Sequence, residues 1–434
     1  NIKTGYDAAT ATALTFETVV APVSTNLLYL AQTTKDIQDA GVLGSENFFG
    51  VLGEDTLLQI KHDGTDFKVV GDYAQAYRSA DATNASSIAF DESSNLTLRQ
   101  ADAGIDVFSS IADTSAGAFN FVDSERDVTV LNTEEYTQLK YANGGLNFVR
   151  KPILAGQKEY VYNALNGSNE ITFIDGDLFY EASDPVKVSS TLTFDVDSAG
   201  YALVVFEDDR GEIRLRMASS DSGCHPVERC RFGGDDSITA SDYDFLDLQI
   251  FHQNTSSSDL GKALLLDNKN SKLWIVLFNH ELIAADDELS VALGDAIDLG
   301  TSKNPQSFVF NSDKSRVFVV NKGDDTISVV TLVDAEGNVR SVSDMESDIV
   351  TINLSDYLNG KAFAVTANKA AYYSTIDGDY LLVGSEGIRG AIVVDLNAVS
   401  LPEFATVEAE PVAPPASPIP PAHPFPRPPV RSDH

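Results

Sequence analysis

One stretch of the chain, residues 305–332, constrains the fold more than any other. It contains three short apolar runs, Phe308–Phe310, Val317–Val320 and Ile327–Val330, separated by breaks rich in Asn, Asp and Gly. Runs of about four β-branched and aromatic residues between such breaks predict the strands of a meander. A helix would need a longer apolar stripe with a period of 3.6 residues. Because one narrow meander cannot bury both of its faces, the stretch predicts one unit of a repeated architecture.

The same stretch resembles the YVTN-type repeat of seven-bladed β-propellers. It opens at Pro305, passes through a polar turn that contains Asp313, continues in an aromatic–aliphatic strand ending at Asn321, and is followed by a Val-Ser-Val-like strand. The resemblance implies a propeller fold and two classes of function. Some propellers of this kind are lactonases and related hydrolases that act at the central channel, and others are surface antigens or binding scaffolds without catalysis.

Similar short runs recur along the chain, and they predict an all-β fold. We expect a single β-propeller over residues 12–400, with about seven four-stranded blades and a range of six to eight. The strand-like segment Leu27–Ala31 is expected to complete the last blade, so that the ring closes without a free edge. Two β-sandwiches are the alternative architecture. The predicted meanders cover residues 47–70, 87–108, 117–141, 146–180, 186–217, 245–293, 305–332 and 349–396.

The two cysteines lie in a segment that the apolar pattern does not assign to a blade. Residues 1–11 are expected to be a loose lead-in, and residues 218–242 an insertion between blades. In an exported protein, the spacing of Cys224 and Cys230 around the turn former Pro226 favours a small disulfide-closed loop. Free thiols are the first alternative. A metal site that includes His225 is the second, although three ligands in one tight loop rarely suffice.

The charge of the chain excludes some partners and suggests a compartment. Asp and Glu number 65 against 30 Lys and Arg, a formal charge of −35. Such a surface repels nucleic acid and anionic membranes, and it suits calcium, cationic partners, a salty exterior or plain solubility. No apolar run approaches the roughly 18 residues of a membrane-spanning helix. The first residue is Asn1 rather than Met, which together with five Asn-x-Ser/Thr sequons predicts a secreted, periplasmic or cell-surface protein with its leader removed.

Asp195 and Asp197 are the candidate metal ligands. They occupy alternate positions before Gly200, as at the start of a calcium-binding loop. A third acidic side chain is missing at the next alternate position, and position twelve of such a loop would be Phe206, so the segment is not an EF-hand. A hairpin turn is the alternative interpretation. No other cofactor is expected.

The sequence contains no motif that predicts catalytic residues. It has no nucleophile elbow, no phosphate-cradling loop and no Cys-x-x-Cys-His, and its six histidines are scattered. The single tryptophan, Trp274, lies in a strand-like run and is expected in the core. These observations favour a non-catalytic extracellular module for protein interaction or assembly. A lactonase-like hydrolase acting at the central channel is the alternative, but none of its functional positions can be matched here.

From about residue 401 the chain becomes rich in proline and is expected to be an extended tail. Proline lacks a backbone donor and fixes φ, which predicts polyproline II rather than helix or ladder strand. Such a segment loses less entropy on binding than an ordinary flexible chain, so we expect it to dock on a partner or a neighbouring subunit. The candidate docking residues are its proline pairs, its two aromatic residues and its arginines: Phe404, Pro414, Pro415, Pro420, Pro421, Phe425, Arg427 and Arg431.

Overall fold

The computed structural model describes the chain in two ways. From residue 19 to residue 219 it describes the strands and a few flanking residues, with side chains at 60, 192–197, 203–207 and 211–215. From residue 242 to residue 401 it describes nearly every residue, except 254–259, 280–290, 358–366, 376–377, 386–387 and 400.

The described residues of the first half form sixteen strands, built largely from the short β-branched and aromatic runs of the sequence. They are β1 Val19–Ala21, β2 Thr25–Gln32, β3 Ile37–Leu43, β4 Phe48–Gly53, β5 Leu57–His62, β6 Phe67–Asp72, β7 Ala85–Phe90, β8 Leu96–Gln100, β9 Gly104–Phe108, β10 Ala112–Asp113, β11 Ala118–Phe119, β12 Arg126–Val130, β13 Tyr136–Ala142, β14 Gly145–Arg150, β15 Tyr160–Leu165 and β16 Ile171–Asp175.

The second half adds fourteen strands and one short helix, α1. They are β17 Val188–Val196, β18 Tyr201–Asp208, β19 Ile213–Ser219, β20 Phe245–His252, β21 Gly261–Asp267, β22 Lys272–Phe278, β23 Val291–Asp298, β24 Pro305–Phe310, β25 Arg316–Asn321, β26 Thr326–Thr331, α1 Val342–Ser347, β27 Val350–Asn353, β28 Ala367–Thr375, β29 Gly378–Ser385 and β30 Ile388–Asp395.

These strands form antiparallel sheets, each named here after the strand that begins its series of consecutive strands, so that the sheet joined by β1 and β2 is the β28 sheet. The β3, β7, β13, β20 and β24 sheets have four strands each, and the β17 sheet has three among the described residues. The β28 sheet has five, in the order β1-β2-β30-β29-β28, and β10 pairs only with β11. The expectation that an N-terminal strand completes the last sheet is therefore confirmed, because β2 pairs with β30 and places Leu28 opposite Ala391.

The first strands of successive sheets contact one another in a cycle. β3 contacts β7, which contacts β13, and the series continues through β17, β20, β24 and β28 before it returns to β3. The sheets thus follow one another around a common centre, with the first strand of each on the inside.

The grouping of some predicted strands was wrong. The run IVTINL, assigned above to the last meander, forms β27 and pairs with β26 of the β24 sheet. The 117–141 meander is divided, since β12 belongs to the β7 sheet and β13 begins the next. The cause is the same in both places: a long connection precedes the outer strand, so the outer strand lies closer in sequence to the following sheet.

Apolar side chains between neighbouring sheets form the core. One cluster fills the space between the β17 and β20 sheets, a second lies between the β20 and β24 sheets, and a third between the β24 and β28 sheets. Among the side chains that the structure describes, the largest fully buried ones are Phe194, Phe206, Phe278 and Phe318. Burial of this kind is the main stabilising term, at roughly 1.5–3 kcal/mol for each such side chain.

Helix α1 was not predicted, and it covers the outside of one of these interfaces. Ser341 caps its N-terminus by accepting a hydrogen bond from the Asp344 backbone. The helix contacts β23 and β26, and its Met345 side chain is fully buried in the cluster between the β20 and β24 sheets. The Glu346 carboxylate accepts a hydrogen bond from the Asp298 backbone at 2.8 Å, which ties the helix to the end of β23.

Candidate functional site

The predicted calcium pair lies where β17 passes into β18. Asp195 is in β17 and Asp197 follows it directly, so the hairpin interpretation is confirmed by the strand pairing. Asp195 is already engaged: its carboxylate accepts hydrogen bonds from the backbone N–H of Val196 at 2.9 Å and of Ile250 at 2.7 Å. In the described part of the chain, no three His, Cys, Asp or Glu side chains are grouped to hold a metal ion. Calcium at this turn stays a prediction.

The hydrogen bond that Asp195 accepts from Ile250 is one of two bonds through which Ile250 connects three sheets. We call this pair of bonds the Ile250 clasp. The Ile250 N–H donates to Asp195 of the β17 sheet at 2.7 Å. The Ile250 carbonyl accepts from the Lys314 ammonium of the β24 sheet, also at 2.7 Å. Because Ile250 lies in the first strand of its sheet, one side of its backbone faces away from the sheet ladder. The clasp satisfies both polar groups on a buried residue, which would be costly to leave unpaired.

Burial affects the pKa of the ammonium group in this clasp. It lowers the pKa of the Lys314 ammonium below its ordinary value, and the negative charge of Asp195 partly opposes that change. The ammonium also lies 5.9 Å from the centre of the Phe310 ring, in cation–π range. Gln249 repeats the arrangement in neutral form, because its amide donates to the Phe308 carbonyl of the next sheet at 3.0 Å. Hydrogen bonds between a side chain of one sheet and the backbone of the next therefore join the inner parts of successive sheets.

At the opposite end of these strands lies a surface that we call the turn face. It consists of residues 242–244, 268–271, 299–304 and 322–325, where second strands turn into third strands and one sheet connects to the next. The buried Asp267 carboxylate organises the first part. It accepts from the Asn270 amide at 2.7 Å and from the Trp274 indole at 3.3 Å. It also accepts from the Asp244 backbone at 3.3 Å.

The second part of the turn face is held in the same way. Lys303 donates to the Asp324 carboxylate at 2.7 Å and to the Thr326 hydroxyl at 3.2 Å. The buried Asn321, the last residue of β25, donates to Thr326 at 3.1 Å and to Ser328 at 2.9 Å. Asp267 and Asn321 occupy equivalent positions at the ends of β21 and β25. A buried polar residue at that position therefore anchors the turn that follows it.

The backbone of the turn face is packed tightly and takes unusual conformations. Ser271, Ser302, Asn304 and Asp325 all have positive φ, between 46° and 63°. A side chain at Gly323 would meet the Ser302 carbonyl at 2.0 Å, so glycine is required where these two turns approach each other. Such conformations persist only when the surrounding structure determines them. The turns are therefore held by close packing at the base, while other residues of the turn face are exposed. The exposed residues are Asp242, Asp244, Lys269, Asn270, Thr301, Ser302, Asn304, Gly323 and Asp324.

A third polar group lies between the β24 and β28 sheets, near the clasp end of the strands. Tyr372 stacks on Phe318 with ring centres 5.8 Å apart. Burial raises the pKa of its phenol to about 12, with a further contribution from Asp379. Burial, followed by the neighbouring Tyr380, likewise raises the pKa of Tyr373 to about 12. Both phenols therefore stay protonated at physiological pH, and the Tyr373 ring stacks on that of Tyr380 with the ring centres 6.5 Å apart.

Most of the other predicted site residues cannot be placed. Cys224, Cys230 and the eight docking residues of the tail lie outside the described residues, so the disulfide and the docking stay predictions. Trp274, which was expected in the core, is only partly buried and packs against the edge of the cluster between the β17 and β20 sheets. Sequence reasoning missed Lys314, Lys303 and Asp267. Asp267 and Asn321 each end an apolar strand directly before a polar turn. This repeated pattern is the sequence signal that could have identified the turn face.

The described residues also contain no helix with the length and hydropathy needed to cross a membrane. No protein-family model and no curated protein matches the sequence, so the YVTN resemblance stays a prediction.

Solved structures do match the fold. The chain is similar to the β-propeller domain of Cps50 (Swd1) from Myceliophteria thermophila, with a TM-score of 0.51 and 8% identity over 83% of this chain and 98% of that one. YCF48, solved with D1 peptide bound, gives a TM-score of 0.45 and 10% identity over 90% of this chain and 100% of that one. Hsv2 from Kluyveromyces lactis gives a TM-score of 0.45 and 10% identity over 81% of this chain and 91% of that one. Together with the cycle of antiparallel sheets, the first of these similarities shows that the chain has the β-propeller fold.

Proposed function

We propose that this chain is a seven-bladed β-propeller that acts outside the cell as a non-catalytic module for protein interaction or assembly. Support for the number of blades comes from the cycle of inner-strand contacts, which passes through the β3, β7, β13, β17, β20, β24 and β28 sheets and closes on itself. The β28 sheet joins both ends of the chain, as in propellers whose ring is closed by strand pairing.

The observation that carries the interaction role is the turn face. Its tips are exposed and polar, while Asp267, Asn321 and Lys303 hold their bases to the ring through hydrogen bonds. A surface that is ordered before binding loses little conformational entropy when a partner docks, which raises affinity for a given contact area. Loops on a rigid scaffold are also the usual location of binding residues.

The proline-rich tail is the second element of the proposal. We infer that residues 401–434 dock on a partner or on a neighbouring copy of the chain. Polyproline segments are already extended and therefore lose less entropy on docking. Arg427 and Arg431 add positive charge to a chain whose formal charge is −35, so the tail and an acidic propeller surface are complementary.

Deleting residues 403–434 tests this assembly role. We expect the truncated propeller to stay folded by circular dichroism and thermal unfolding, and to form fewer assemblies in size-exclusion chromatography with light scattering. An Arg427→Ser and Arg431→Ser double variant should have a partial effect that shrinks as salt is added. Ser432→Ala at the same end of the chain serves as the control. Truncated and full-length proteins that assemble identically would contradict the proposal.

An assay on lactones and sugar phosphates separates this proposal from the lactonase-like alternative. The interaction module should give no turnover above that of a heat-denatured sample. Turnover that a single substitution of a carboxylate near the channel abolishes would replace the proposed function with hydrolysis.

A further inference from the structure

Each first strand of the ring contains one extra residue close to its beginning. In β20, Phe245 and Asp247 pair with adjacent residues of β21, so Leu246 is an extra residue between them. In β24, Gln306 is extra in the same way, and the other five first strands show an equivalent irregularity. The seven extra residues, in chain order, are Gln38, Ser86, Gln138, Ser189, Leu246, Gln306 and Asn368.

The residue types at these bulge positions differ from those of the chain as a whole. None is charged, although 22% of the chain is charged. Three are glutamine, although the chain contains only ten glutamines. First strands lie on the inside of the ring, and β20 and β24 begin beside the turn face, so Leu246 and Gln306 lie at its inner border. Because β-bulges re-aim side chains and are frequent beside functional sites, this border is a candidate contact surface.

Three amide side chains are joined where the β20 and β24 sheets meet at this border, and we call Asn268, Asn304 and Gln306 the amide cluster. The Oδ1 atom of Asn304 accepts hydrogen bonds from the Asn268 amide at 2.7 Å and from the Gln306 amide at 3.0 Å. The Asn268 amide also donates to the Pro305 carbonyl at 2.9 Å. The backbone carbonyl of Asn304 accepts from the Lys322 N–H at 3.1 Å. The three amides are therefore held in place before any ligand binds.

The amide cluster retains hydrogen-bonding groups for a ligand. In the part of the chain that the structure describes, the Nδ2 atom of Asn304 donates no hydrogen bond and the Oε1 atom of Gln306 accepts none. The Asn304 side chain is exposed, and that of Gln306 is half-buried. A donor beside an acceptor matches the C=O and N–H groups of a peptide backbone. The cluster is therefore suited to an uncharged ligand that contains peptide groups.

Leu246 supplies an apolar contact at the equivalent bulge of the neighbouring sheet. Its side chain is 36% exposed, and in the described part of the chain Leu260 is the one other exposed large hydrophobic residue. The Asn268 N–H donates to the Asp244 carbonyl at 2.9 Å, which ties the amide cluster to the segment that leads into Leu246. An apolar side chain beside amides that bind backbone fits a peptide with a large apolar residue of its own.

We propose that the amide cluster and Leu246 form a docking site for an extended, uncharged peptide segment of a partner protein, which rests on the interaction role proposed above for the turn face. The cluster binds the peptide backbone, and Leu246 packs against an apolar side chain of the peptide. Main-chain hydrogen bonds supply affinity whatever the side chains are, and the apolar contact adds specificity. The proline-rich tail of a second copy of the chain is the competing occupant.

Selection from a random peptide library displayed on phage tests the site with the full-length protein as bait. We expect the selected peptides to share an uncharged segment with a large apolar residue, and their affinity in fluorescence polarisation to be nearly independent of salt. Selection of no peptide, or only of charged peptides whose affinity falls as salt is added, would overturn the proposal. A synthetic peptide of residues 403–434 is measured in parallel. Competition between it and the selected peptides would overturn the proposal in favour of the tail.

Asn304→Asp separates the internal bonds of the cluster from its bond to a ligand. The new carboxylate still accepts from Asn268 and Gln306, but it no longer donates, so the selected peptides should bind about three- to tenfold more weakly. Leu246→Ser should weaken them by about tenfold, because the apolar contact is lost. Thr301→Asp adds the same charge at an exposed position of the turn face and should leave the affinity unchanged. Unchanged binding to a folded Asn304→Asp or Leu246→Ser variant would contradict the proposal.

Hydrogen exchange of the unmodified protein, with and without a selected peptide, decides the matter if a variant does not fold. We expect the peptide to slow exchange within residues 244–247 and 303–307. Protection confined to another part of the ring would overturn this site and leave the interaction role of the chain intact. Absence of any bound peptide together with turnover of lactones would instead remove both the site and the proposed function.

Discussion

Two neighbouring interfaces of the ring are built from the same kind of strands but are closed to different degrees. Between the β20 and β24 sheets, four strands face four, and helix α1 adds Met345, which is 0% exposed. Between the β17 and β20 sheets, the Trp274 and Leu293 side chains are only partly buried. The inner strands of both interfaces are tightly buried. Among the described residues, the difference lies on the outer strands of the β20 sheet, where Met345 is fully buried on one face and Trp274 and Leu293 are partly buried on the other.

This comparison shows which parts of the ring tolerate change. Inner strands are held by apolar burial and by cross-sheet bonds such as the Ile250 clasp, whose two halves serve one interface each. Outer positions depend on connections whose length and sequence differ from sheet to sheet. Partners and the tail are thus expected to affect the outer edges and the turn face more than the inner ring.

The largest expected effect on stability comes from substitutions in the two interfaces compared above. Met345→Ala should lower the free energy of unfolding by about 2–4 kcal/mol, because it empties a buried site between two complete sheets. Leu293→Ala at the more open interface should cost about 1 kcal/mol, since that side chain is only partly buried. Urea unfolding of both variants measures the difference. Equal losses would mean that the two interfaces are closed to the same extent.

Removing one bond of the Ile250 clasp should have an effect of intermediate size on the free energy of unfolding. Lys314→Met should cost about 1–3 kcal/mol, because the buried Ile250 carbonyl loses its donor while the apolar stem of the side chain is kept. Lys269→Met, at an exposed position of the turn face, is the control and should change stability by no more than about 0.5 kcal/mol. If Lys314→Met proves as harmless as the control, then the clasp does not hold the two interfaces together.

The smallest effect concerns strand β28 at alkaline pH, where Tyr372 faces the β24 sheet and the next residue, Tyr373, lies on the opposite face of the strand. Tyr372 and Tyr373 have pKa values of about 12 in the folded protein against 10.0 ordinarily. The unfolded chain releases these protons first, so their contribution is fully present below pH 10 and is lost as pH rises toward 12. Unfolding of the native protein and of a Tyr372→Phe/Tyr373→Phe variant should be compared between pH 8 and pH 12. The variant should lose less stability over that range, and parallel losses would refute the assignment.

Local chemistry explains why much of the ring was predictable. The β24, β25 and β26 strands follow the three apolar runs, because each run is short, β-branched or aromatic, and ended by a polar turn. The pairing of Leu27–Ala31 with the last sheet was also expected, since a ring has to pair its terminal strands. These features depend on residues adjacent in sequence or on closure of the ring as a whole.

Other features depend on packing that local sequence does not encode. β23 was missed because it is an outer strand with Gly294 and Asp295 in its middle and only two buried residues. Helix α1 has six residues and is held by tertiary contacts. The clasp joins residues 55 and 64 positions apart, so neither Asp195 nor Lys314 could be matched to Ile250 from spacing.

The central claim is that both ends of the chain build one sheet and so close the ring. A disulfide trap tests it most directly, because Leu28 and Ala391 are direct partners on β2 and β30, and partners in an antiparallel pair have Cα atoms about 4.5–5.5 Å apart, within the range of a disulfide. Leu28→Cys/Ala391→Cys, with both native cysteines replaced by serine, should form an intramolecular disulfide in the folded protein. A Leu28→Cys/Ala367→Cys control should not, because β28 lies three strands from β2. Failure of the first pair to close within one chain, or closure only between two chains, would contradict the ring.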